Sequence, residues 1–406
     1  MISRLLDILL RRRHFWRAAS FSEISELYTA RTMRVIGLNL GAGFASVYLF
    51  KIGYSLDFIM LFWVIYLFYR MIIVIPSAHL VAYYGPKHGI YVSNLLYVPA
   101  MIFLAILPQA DIMSIIGWGF FAGFSMTLYN LCYLVDFSKV KDINHSGKEI
   151  GYMHILEKIA LALSPILGGL IALLFSVEIV MWVAAAAILA ASLPLMSSAE
   201  PTKTHQKIEY KGFPWSRLKR TLIAEFGVGY DIFSTSTIWG LHLAATVFAS
   251  TGNAVYISIG ALSGATVIVG LVSAKLFGKL IDSNRGGELL RYSVIINSLT
   301  HLSRPLANTT LEILAVNTSN EAATTGLNMA RLRGLFDTAD FSGYRILYLS
   351  IAEMMSIFGA FVASLVGLIL LHFIDDADTA FSWYYVIAAP IVLIVATSRF
   401  RIYSKK

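Results

Sequence analysis

Ionisable side chains stand inside stretches of this sequence that are otherwise apolar, and they are the residues best suited to chemistry. Arg70 lies near the middle of one such stretch, and Glu157 and Lys158 lie together in another. A charge within a bilayer is costly, so each needs a partner or water. Desolvated carboxyl groups can also exchange protons near neutral pH. Proton transfer and binding of a charged solute are therefore the chemistries that these residues indicate.

Polar residues recur at helical spacing in several of the apolar stretches. The clearest stripe has offsets of four, three and four residues, which place its members on one helical face. Its members are Asn317, Glu321, Thr324 and Asn328. The other stripes are Asp231, Thr235, Ile238 and His242; Ser125, Tyr129, Cys132 and Asp136; and Tyr66, Arg70 and Ser77. Polar faces avoid lipid, so we expect them to face a water-filled cavity or one another.

We predict that a set of polar and aromatic side chains lines this cavity and binds the substrate. The set is Arg70, Tyr129, Asp231, Trp239, His242, Asn317, Glu321 and Asn328. The second half of the chain has an excess of acids without a comparably central cation, so carboxylates are also predicted to carry protons. These are Asp231, Glu321, Glu353 and Glu157. Asp231 and Glu321 are the leading candidates, for proton coupling or for contact with a cationic substrate.

The sequence alone does not determine which acid pairs with Arg70. Glu157 matches it best in depth, and Asp231 or Glu353 could reach it across the cavity. The resulting ion pair either holds helices together or exchanges partners with a proton or a substrate. Lys158 competes for Glu157.

Other members of the set also have two interpretations. His242 is either a hydrogen-bonded structural residue or a proton relay. The aromatic members line the cavity or anchor helices at the lipid interface. Glu225 is expected near the surface, paired with a neighbouring basic residue, Lys219 or Arg220.

Composition places these residues in a membrane protein. Hydrophobic residues make up 57% of the 406 and charged residues only 14%, whereas a soluble chain carries about 25% charged residues. The single cysteine, Cys132, excludes an intramolecular disulfide. The net charge of +8 could suggest nucleic acid, but the basic residues alternate between loops instead of forming one patch. We therefore predict the lipid bilayer as a partner and no nucleic acid.

Apolar runs long enough to span about 30 Å of hydrocarbon number about twelve. Their approximate limits are 33–52, 57–82, 88–107, 112–135, 149–174, 177–196, 219–248, 254–277, 289–306, 309–332, 343–371 and 380–398. Lysine and arginine concentrate in alternate loops, which by the positive-inside rule places both termini in the cytoplasm. The chain is thus predicted to be a multi-pass protein of the cytoplasmic (inner or plasma) membrane.

The domain organisation follows from the longest polar interruption, near the middle of the chain. We predict a cytoplasmic segment at 1–32, a six-helix bundle at 33–196, a cytoplasmic linker at 197–217, a second six-helix bundle at 218–398 and a cytoplasmic tail at 399–406. The first segment has leucines beside Arg11, Arg12 and Arg13, typical of a short helix on an anionic leaflet or of a frayed tail. Its apolar run precedes the basic cluster, so no cleavable signal is predicted.

Three short motifs carry a family resemblance. GYMHILEKIALALSPILGG (151–169) combines small residues with a proline, while AHLVAYYGPKHG and GKLIDSNRGG occupy corresponding loops in the two halves. The first resembles the fifth-helix motif of antiporters in the major facilitator superfamily, with Ala160 and Ser164 replacing two glycines. The last resembles the loop motif of that superfamily, while its first-half copy has Ala82 where aspartate is expected.

This resemblance implies an all-α fold of about twelve transmembrane helices in two six-helix bundles, with helices one, four, seven and ten around a central cavity. It also implies that Asp282 braces the cytoplasmic gate by holding a helix N-terminus. The residues to which it assigns gating or conformational roles are Gly151, Pro165, Gly168, Gly169, Gly278, Asp282 and Arg285.

The sequence offers little support for other chemistries. It has no GxxxxGKS/T phosphate loop and no HExxH metal motif, and its histidines lack metal spacing. We therefore expect no enzyme activity, no metal and no cofactor, with the proton gradient as energy source.

The expected function is secondary transport of a small organic solute by a monomer. Export of an amphipathic or cationic compound, coupled to protons, is favoured by the fifth-helix resemblance and the surplus acids. An alternative is a proton-coupled importer of an anionic nutrient, with Arg70 and Lys158 contacting the anion. A non-transporting receptor or scaffold with the same fold, or a membrane-embedded enzyme, are further alternatives.

Overall fold

The protein is described by a computed structural model over residues 23–41, 45–142, 145–175, 177–248 and 255–403. These residues form helices and connecting turns without a β-strand, which confirms the all-α prediction. The surface helix predicted near Arg11 lies outside the described residues.

Twelve helical segments, named α1 to α12 here, follow the order of the predicted spans. They are α1 (Glu23–Gly41 and Ala45–Lys51), α2 (Leu56–Tyr84), α3 (Pro86–Ala105), α4 (Leu107–Val140), α5 (Ser146–Leu174), α6 (Val177–Ala190), α7 (Trp215–Phe233, continuing to Val247), α8 (Val255–Leu280), α9 (Gly286–Ser303), α10 (Thr310–Ser342), α11 (Arg345–Phe373) and α12 (Ala377–Leu393). In α7, π-helical turns at Ser234–Ile238 and Leu243–Val247 flank Trp239–His242.

Local sequence explains where these helices begin. Ser55 caps α2, its hydroxyl accepting from the Phe58 backbone N–H at 3.2 Å. Pro86 lies in the first turn of α3. A backbone N–H at that position would have no partner within the helix, so proline costs no hydrogen bond there. Thr309 and Glu312 form a reciprocal capping box at the start of α10.

The apolar character of the helices makes this an integral multi-pass membrane protein. Nine stretches of the described residues are long and apolar enough to cross a membrane, one of them (Gly264–Leu306) including both α8 and α9. Two helices that belong to the same bundles, α7 and α10, are not among these stretches because polar side chains recur along them.

Two helices extend furthest beyond their predicted limits. α1 begins at Glu23, before the predicted 33, and α10 continues to Ser342, past the predicted 332. The added segments carry charges, among them Arg31 and Asp340. Charges lower the hydropathy of a window, but a helix continues through them where the fold supplies partners.

The helices pack as two groups that meet along a shared interface. Within the amino-terminal bundle (α1–α6), α1 packs against α5 and α6, and α3 against α4 and α6. Within the carboxy-terminal bundle (α7–α12), α7 packs against α11, and α10 against α8 and α9. Between the bundles, α2 runs along α11 and α5 along α8. A site between the bundles is therefore lined by both.

The linker is tied to the amino-terminal bundle at the end where α2 stops and α3 starts, called the linker face here. The Glu200 carboxylate accepts from the backbone N–H groups of Lys87 and His88 at 3.1 and 2.9 Å, as expected for an anion at a helix N-terminus. Glu200 lies beside the loop between α2 and α3, the first-half copy of the loop motif, in which Ala82 stands where aspartate is expected. The linker thus supplies a carboxylate that the loop lacks.

A close crossing of α7 and α11 gives a first prediction. A Cβ on Gly359 would overlap the Phe226 carbonyl oxygen, and one on Gly229 would overlap that of Ser356. We expect Gly359→Ala to lower the free energy of unfolding by about 1–3 kcal/mol, because backbone must move apart. Thermal unfolding in detergent measures the loss. Gly264→Ala is the control, since no atom lies within 4 Å of its added Cβ, and equal melting of the two variants would contradict the crossing.

Candidate functional site

A cavity of about 280 Å³ lies between the two bundles. Side chains from α1, α2, α4 and α5 line one side, and side chains from α7, α10 and α11 line the other. The charged and polar side chains in its lining include Arg31, Arg70, Asn130, His154, Glu157, Asn328, Arg331 and Glu353. Four of these, Arg70, Glu157, Asn328 and Glu353, belong to the predicted site.

Arg31 projects into the cavity from α1. Its Nε donates to Glu157 Oε1 of α5 at 2.6 Å, and its guanidinium lies 4.7 Å from the centre of the Tyr133 ring. Neither terminal nitrogen of Arg31 has a hydrogen-bond partner in the described part of the chain. A guanidinium fixed by its Nε and stacked on a ring can present its free edge to an oxyanion.

Arg70 and Glu353 connect the two bundles across the cavity. Arg70 of α2 donates through Nε to Thr127 Oγ1 at 3.1 Å, and its Nη2 lies 3.5 Å from Glu353 Oε1 of α11. Asn130 Nδ2 of α4 also donates to Glu353 Oε1, at 3.2 Å. Of the partners considered for Arg70, the structure selects Glu353.

Arg331 forms the third arginine–glutamate pair. Its Nε and Nη2 contact both oxygens of Glu225, at distances from 2.5 to 2.9 Å. Glu225 is 1% exposed and lies behind Arg331, outside the cavity lining. The prediction that Glu225 pairs at the surface with Lys219 or Arg220 is therefore wrong, because the tertiary structure brings Arg331 of α10 to it.

The rest of the lining is largely apolar, with one histidine. Leu67, Leu134 and Phe336 are among the apolar side chains that complete the walls. His154 Nδ1 lies 3.5 Å from Glu157 Oε2, and its buried Nε2 has no hydrogen-bond partner among the described residues. The cavity thus combines arginines with apolar walls, which suits a solute that has both an anionic and an apolar part.

Several predicted residues lie inside the carboxy-terminal bundle and not in the cavity lining. Asp231 Oδ1 is 2.8 Å from His301 Nε2, and Trp239 Nε1 donates to Asn317 Oδ1 at 2.8 Å. His242 Nε2 lies 3.0 Å from Asp378 Oδ1. Their stripes do share helical faces, but polar groups in a membrane can be satisfied by one another as well as by water. Here each of these side chains has a protein partner for at least one polar atom.

Arg304 organises that interior cluster. It is 1% exposed, and it donates to His301 Nδ1 at 3.0 Å, Thr235 Oγ1 at 3.0 Å and Asn320 Oδ1 at 3.1 Å. Because an arginine N–H donates to Nδ1, His301 carries its proton on Nε2 and donates it to Asp231. A neutral histidine therefore connects the Arg304 cation to the Asp231 carboxylate.

Glu321 pairs with the opposite bundle. Its Oε1 lies 2.8 Å from Lys158 Nζ of α5 and accepts from Thr325 Oγ1 at 3.3 Å. Glu353 also pairs with an amino-terminal cation, and Asp340 binds Lys141 at 2.6 Å. The acids of the second half are therefore paired either across the interface or, as Glu225 and Asp231 are, within their own bundle. This pairing removes the argument that they mark a site for cations.

Tyr129 lies beside the cavity under a second arginine of α1. The Arg34 guanidinium is 3.8 Å from the centre of its ring, and Arg34 also donates to Asn94 and Ser125. Sequence analysis missed both Arg31 and Arg34, since Arg31 precedes the predicted span 33–52 and Arg34 stands at its very start. Their spacing of three residues behind an acidic start, Glu23 and Glu26, is the signal that could have revealed an earlier helix.

The residues assigned to gating meet where α5 crosses α8. A Cβ on Gly151 would lie 3.0 Å from the Ala274 carbonyl oxygen, and one on Gly278 would lie 3.0 Å from that of Gly147. Asp282 accepts from the backbone N–H groups of Gly147 and Lys148 at 2.9 and 3.2 Å. This is the contact with a helix N-terminus that the loop resemblance implies, and it joins the bundles at the linker face.

The other gating candidates lie elsewhere. Arg285 is exposed and pairs locally with Glu288 at 3.0 Å, and Gly168 packs on the Leu40 backbone of its own bundle. Pro165 and Gly169 lie outside the residues whose side chains the structure describes.

Contacts join the bundles on both sides of the cavity in the described part of the chain. At the linker face, Lys141 joins Asp340, while at the opposite face His372 Nδ1 lies 3.7 Å from Asp57 Oδ2. Burial lowers the pKa of the Lys141 ammonium, and its hydrogen bond to Asp340 opposes that effect.

The fold was compared with known proteins. No family profile matches the sequence, and no curated protein matches it. Solved structures do match. The human organic anion transporter MFSD10 has a TM-score of 0.70 and 8% identity, over 92% of this chain and 99% of that one. The E. coli fucose:proton symporter FucP has a TM-score of 0.66 and 14% identity, over 94% and 98%.

A third match is a bacterial homologue of the iron transporter ferroportin in an outward-facing state. Its TM-score is 0.70 at 12% identity, over 92% of this chain and 97% of that one. Likeness over nearly the whole length of each chain, together with two bundles that meet along α2–α11 and α5–α8, shows that this protein has the major facilitator superfamily fold.

Proposed function

We propose that this protein is a monomeric secondary transporter for a small amphipathic organic anion, taken up together with a proton. The observation that carries the proposal is the convergence of three arginines, Arg31, Arg70 and Arg331, on one cavity between the bundles. A transporter fold binds its substrate at such an interface, near the midplane. The major facilitator fold occurs in an organic anion transporter and in a proton symporter, so both parts of the proposal are compatible with it.

The charge of the lining favours an anion over a cation. Among the described residues, three arginines and two glutamates, Glu157 and Glu353, line the cavity, because Glu225 lies behind Arg331. Arg31 also keeps its terminal nitrogens free of protein partners in the described residues. Desolvated guanidinium groups with unused donors bind carboxylates and phosphates well. The acids that suggested a cationic substrate, Asp231 and Glu321, are already paired with other residues.

Competition for the arginines supplies a reason for coupling to protons. An anion that binds Arg31 or Arg70 must share it with Glu157 or Glu353. Protonation of the glutamate removes that competitor, so proton and anion bind more tightly together than separately. Such positive coupling produces symport, and an inward proton gradient then drives uptake.

Alternating access requires the bundles to part at one face while they stay together at the other. The contacts of Asp282 at the linker face and of His372 at the opposite face are the ones that would break in turn. The close contact of α5 with α8 at Gly151 and Gly278 gives a smooth surface for that movement. We therefore keep Gly151, Gly278 and Asp282 as conformational residues.

Flux into proteoliposomes tests the proposal. Purified protein is reconstituted, and uptake of radiolabelled benzoate, succinate, inorganic phosphate and tetraethylammonium is measured with the outside either acidic or equal to the inside in pH. We expect at least one anion to enter several-fold faster when the outside is acidic, and tetraethylammonium not to enter.

The opposite outcomes separate the alternatives. Uptake of tetraethylammonium driven by an acidic interior would instead support an exporter of cations, as the small residues of the α5 motif suggest. Anion uptake at the same rate with and without the pH gradient would contradict coupling to protons. Absence of flux for every probe, in protein that remains folded, would favour a receptor or scaffold.

A further inference from the structure

We propose that Glu353 is the carboxylate that couples the proton to movement of the bundles. When Glu353 is ionised, its contacts with Arg70 and Asn130 join the two bundles. When it is protonated, these contacts weaken, so the bundles can separate and Arg70 is free to bind the anion. This inference rests on the proposed function, because it names the coupling group of that site. It also replaces Asp231 and Glu321, which the sequence alone favours.

Its position distinguishes Glu353 from the other two glutamates near the cavity. Glu353 stands on α11 of the carboxy-terminal bundle, and Arg70 and Asn130 stand on α2 and α4 of the other. Glu157 and its partner Arg31 both belong to the amino-terminal bundle, and Glu225 and Arg331 both belong to the carboxy-terminal one. Of these three pairs, only the one containing Glu353 must break when the bundles separate.

The geometry also makes Arg70 the arginine that is released most readily. Its contact with Glu353 is a single one at 3.5 Å, whereas Arg31 lies 2.6 Å from Glu157 and Arg331 makes a bidentate contact with Glu225. Interactions weaken steeply as the donor–acceptor distance grows. An oxyanion entering the cavity would therefore displace Glu353 before the other two carboxylates.

The charged groups that face Glu353 fit this role. Arg70 of α2 contacts it, and Arg331 of α10 interacts with it electrostatically in the same cavity lining while bound to Glu225 of α7. On α4 the neighbours are Asn130 and, in the cavity lining, Tyr133; α12 adds no side chain to that lining. The groups across the cavity are Arg31, His154 and Glu157.

These surroundings make proton and anion binding mutually dependent. An anion that binds Arg70 and Arg331 offsets their positive charge, so it favours a proton on Glu353. By linkage the proton raises the affinity for the anion by the same factor. With both bound, neither Arg70 nor Asn130 holds the bundles together through a carboxylate, and the bundles can change their relative position.

The first experiment needs no substrate. Spin labels on cysteines at exposed positions report the distance between bundles: Tyr84 with Ser283 at the linker face, and Ile52 with Leu306 at the opposite face. The native Cys132 is buried and contributes little labelling. We expect the wild-type distance distribution to shift at one face between alkaline and acidic buffer. Glu353→Gln should already show the acidic distribution in alkaline buffer.

Two further variants make the result specific. Glu157→Gln, the matched control within one bundle, should follow the wild type at each pH. Asn130→Ala removes one bundle-bridging bond without changing a charge, so it should shift the alkaline distribution partly and keep the response to acid. The proposal is overturned if wild-type distances ignore pH, if Glu353→Gln still responds like the wild type, or if Glu157→Gln abolishes the response equally.

The second experiment uses benzoate, succinate and inorganic phosphate as probes in a thermal-shift titration. If one proton is taken up with each anion, the apparent Kd of a bound probe rises about tenfold for each unit by which the pH is raised. Glu353→Gln should remove this dependence and leave the probe tightly bound in alkaline buffer. If no probe binds or is transported by the wild type, the proposed function fails; if probes bind with the same pH dependence in Glu353→Gln, only the role of Glu353 fails.

Discussion

Replacing Arg31 by glutamine should reduce proton-driven anion uptake by about a hundredfold. A guanidinium that offers two hydrogen bonds to an anion contributes about 3 kcal/mol, at about 1.5 kcal/mol or more for each charged hydrogen bond, and each 1.4 kcal/mol is about tenfold in affinity. Glutamine keeps a polar side chain but removes the charge and the flat group stacked on Tyr133. Initial rates of uptake into proteoliposomes measure the effect.

Controls separate binding from folding in this prediction. Arg31→Gln leaves Glu157 without its arginine, which can itself disturb the helices. The double variant Arg31→Gln with Glu157→Gln removes both charges, and we expect it to fold normally yet remain inactive. Arg291→Gln changes an exposed arginine of α9 and should transport like the wild type. Uptake by the double variant within a factor of two of the wild type would show that Arg31 does not contact the anion.

The second large effect concerns stability. Arg304→Met should lower the free energy of unfolding by about 3–5 kcal/mol, the cost of removing one partner from a buried charge pair. Arg304 is 1% exposed and bonds to His301, Thr235 and Asn320. Without it, the Asp231 carboxylate has no cation near it in that cluster. Thermal unfolding in detergent, followed by tryptophan fluorescence, measures the loss.

Two comparisons make that prediction specific. Arg291→Met alters an exposed arginine and should change the free energy of unfolding by no more than about 0.5 kcal/mol. Adding Asp231→Asn to Arg304→Met removes the uncompensated carboxylate and should restore part of the loss, since the two residues act through one network. Equal melting of Arg304→Met and Arg291→Met would contradict the cluster as described.

Much of the fold was predictable because a bilayer restricts structure strongly. Only helices satisfy their own backbone hydrogen bonds in hydrocarbon, so apolar runs predicted α2 and α11 with limits close to those observed. The same criterion failed at the start of α1 and at the end of α10. There the helices carry charges, and partners such as Glu157 for Arg31 and Lys141 for Asp340 allow them to continue.

The candidate site was predictable only in part. The depth of Arg70 in an apolar span indicated that it needs an acid, and Glu353 was among the partners considered. The stripe on α10 was also recognisable, but its members diverge: Asn328 lines the cavity, whereas Asn317 bonds to Trp239 and Glu321 pairs with Lys158. A helical period of 3.6 fixes direction around the axis of one helix but not what lies opposite.

The sequence by itself determined that this chain is a helical membrane protein in which every intramembrane charge requires compensation, because composition and hydropathy act locally and the cost of a bare charge in lipid does not depend on the fold. Only the tertiary structure decided which charges compensate one another. Arg31 reaches Glu157, and Arg70 reaches Glu353, across large separations in the chain. Such pairs depend on the depth and packing of helices that meet in space. For that reason the second-half acids, which suggested a site for cations, already have partners: Glu321 and Glu353 pair with first-half cations, and Glu225 and Asp231 pair within their own bundle.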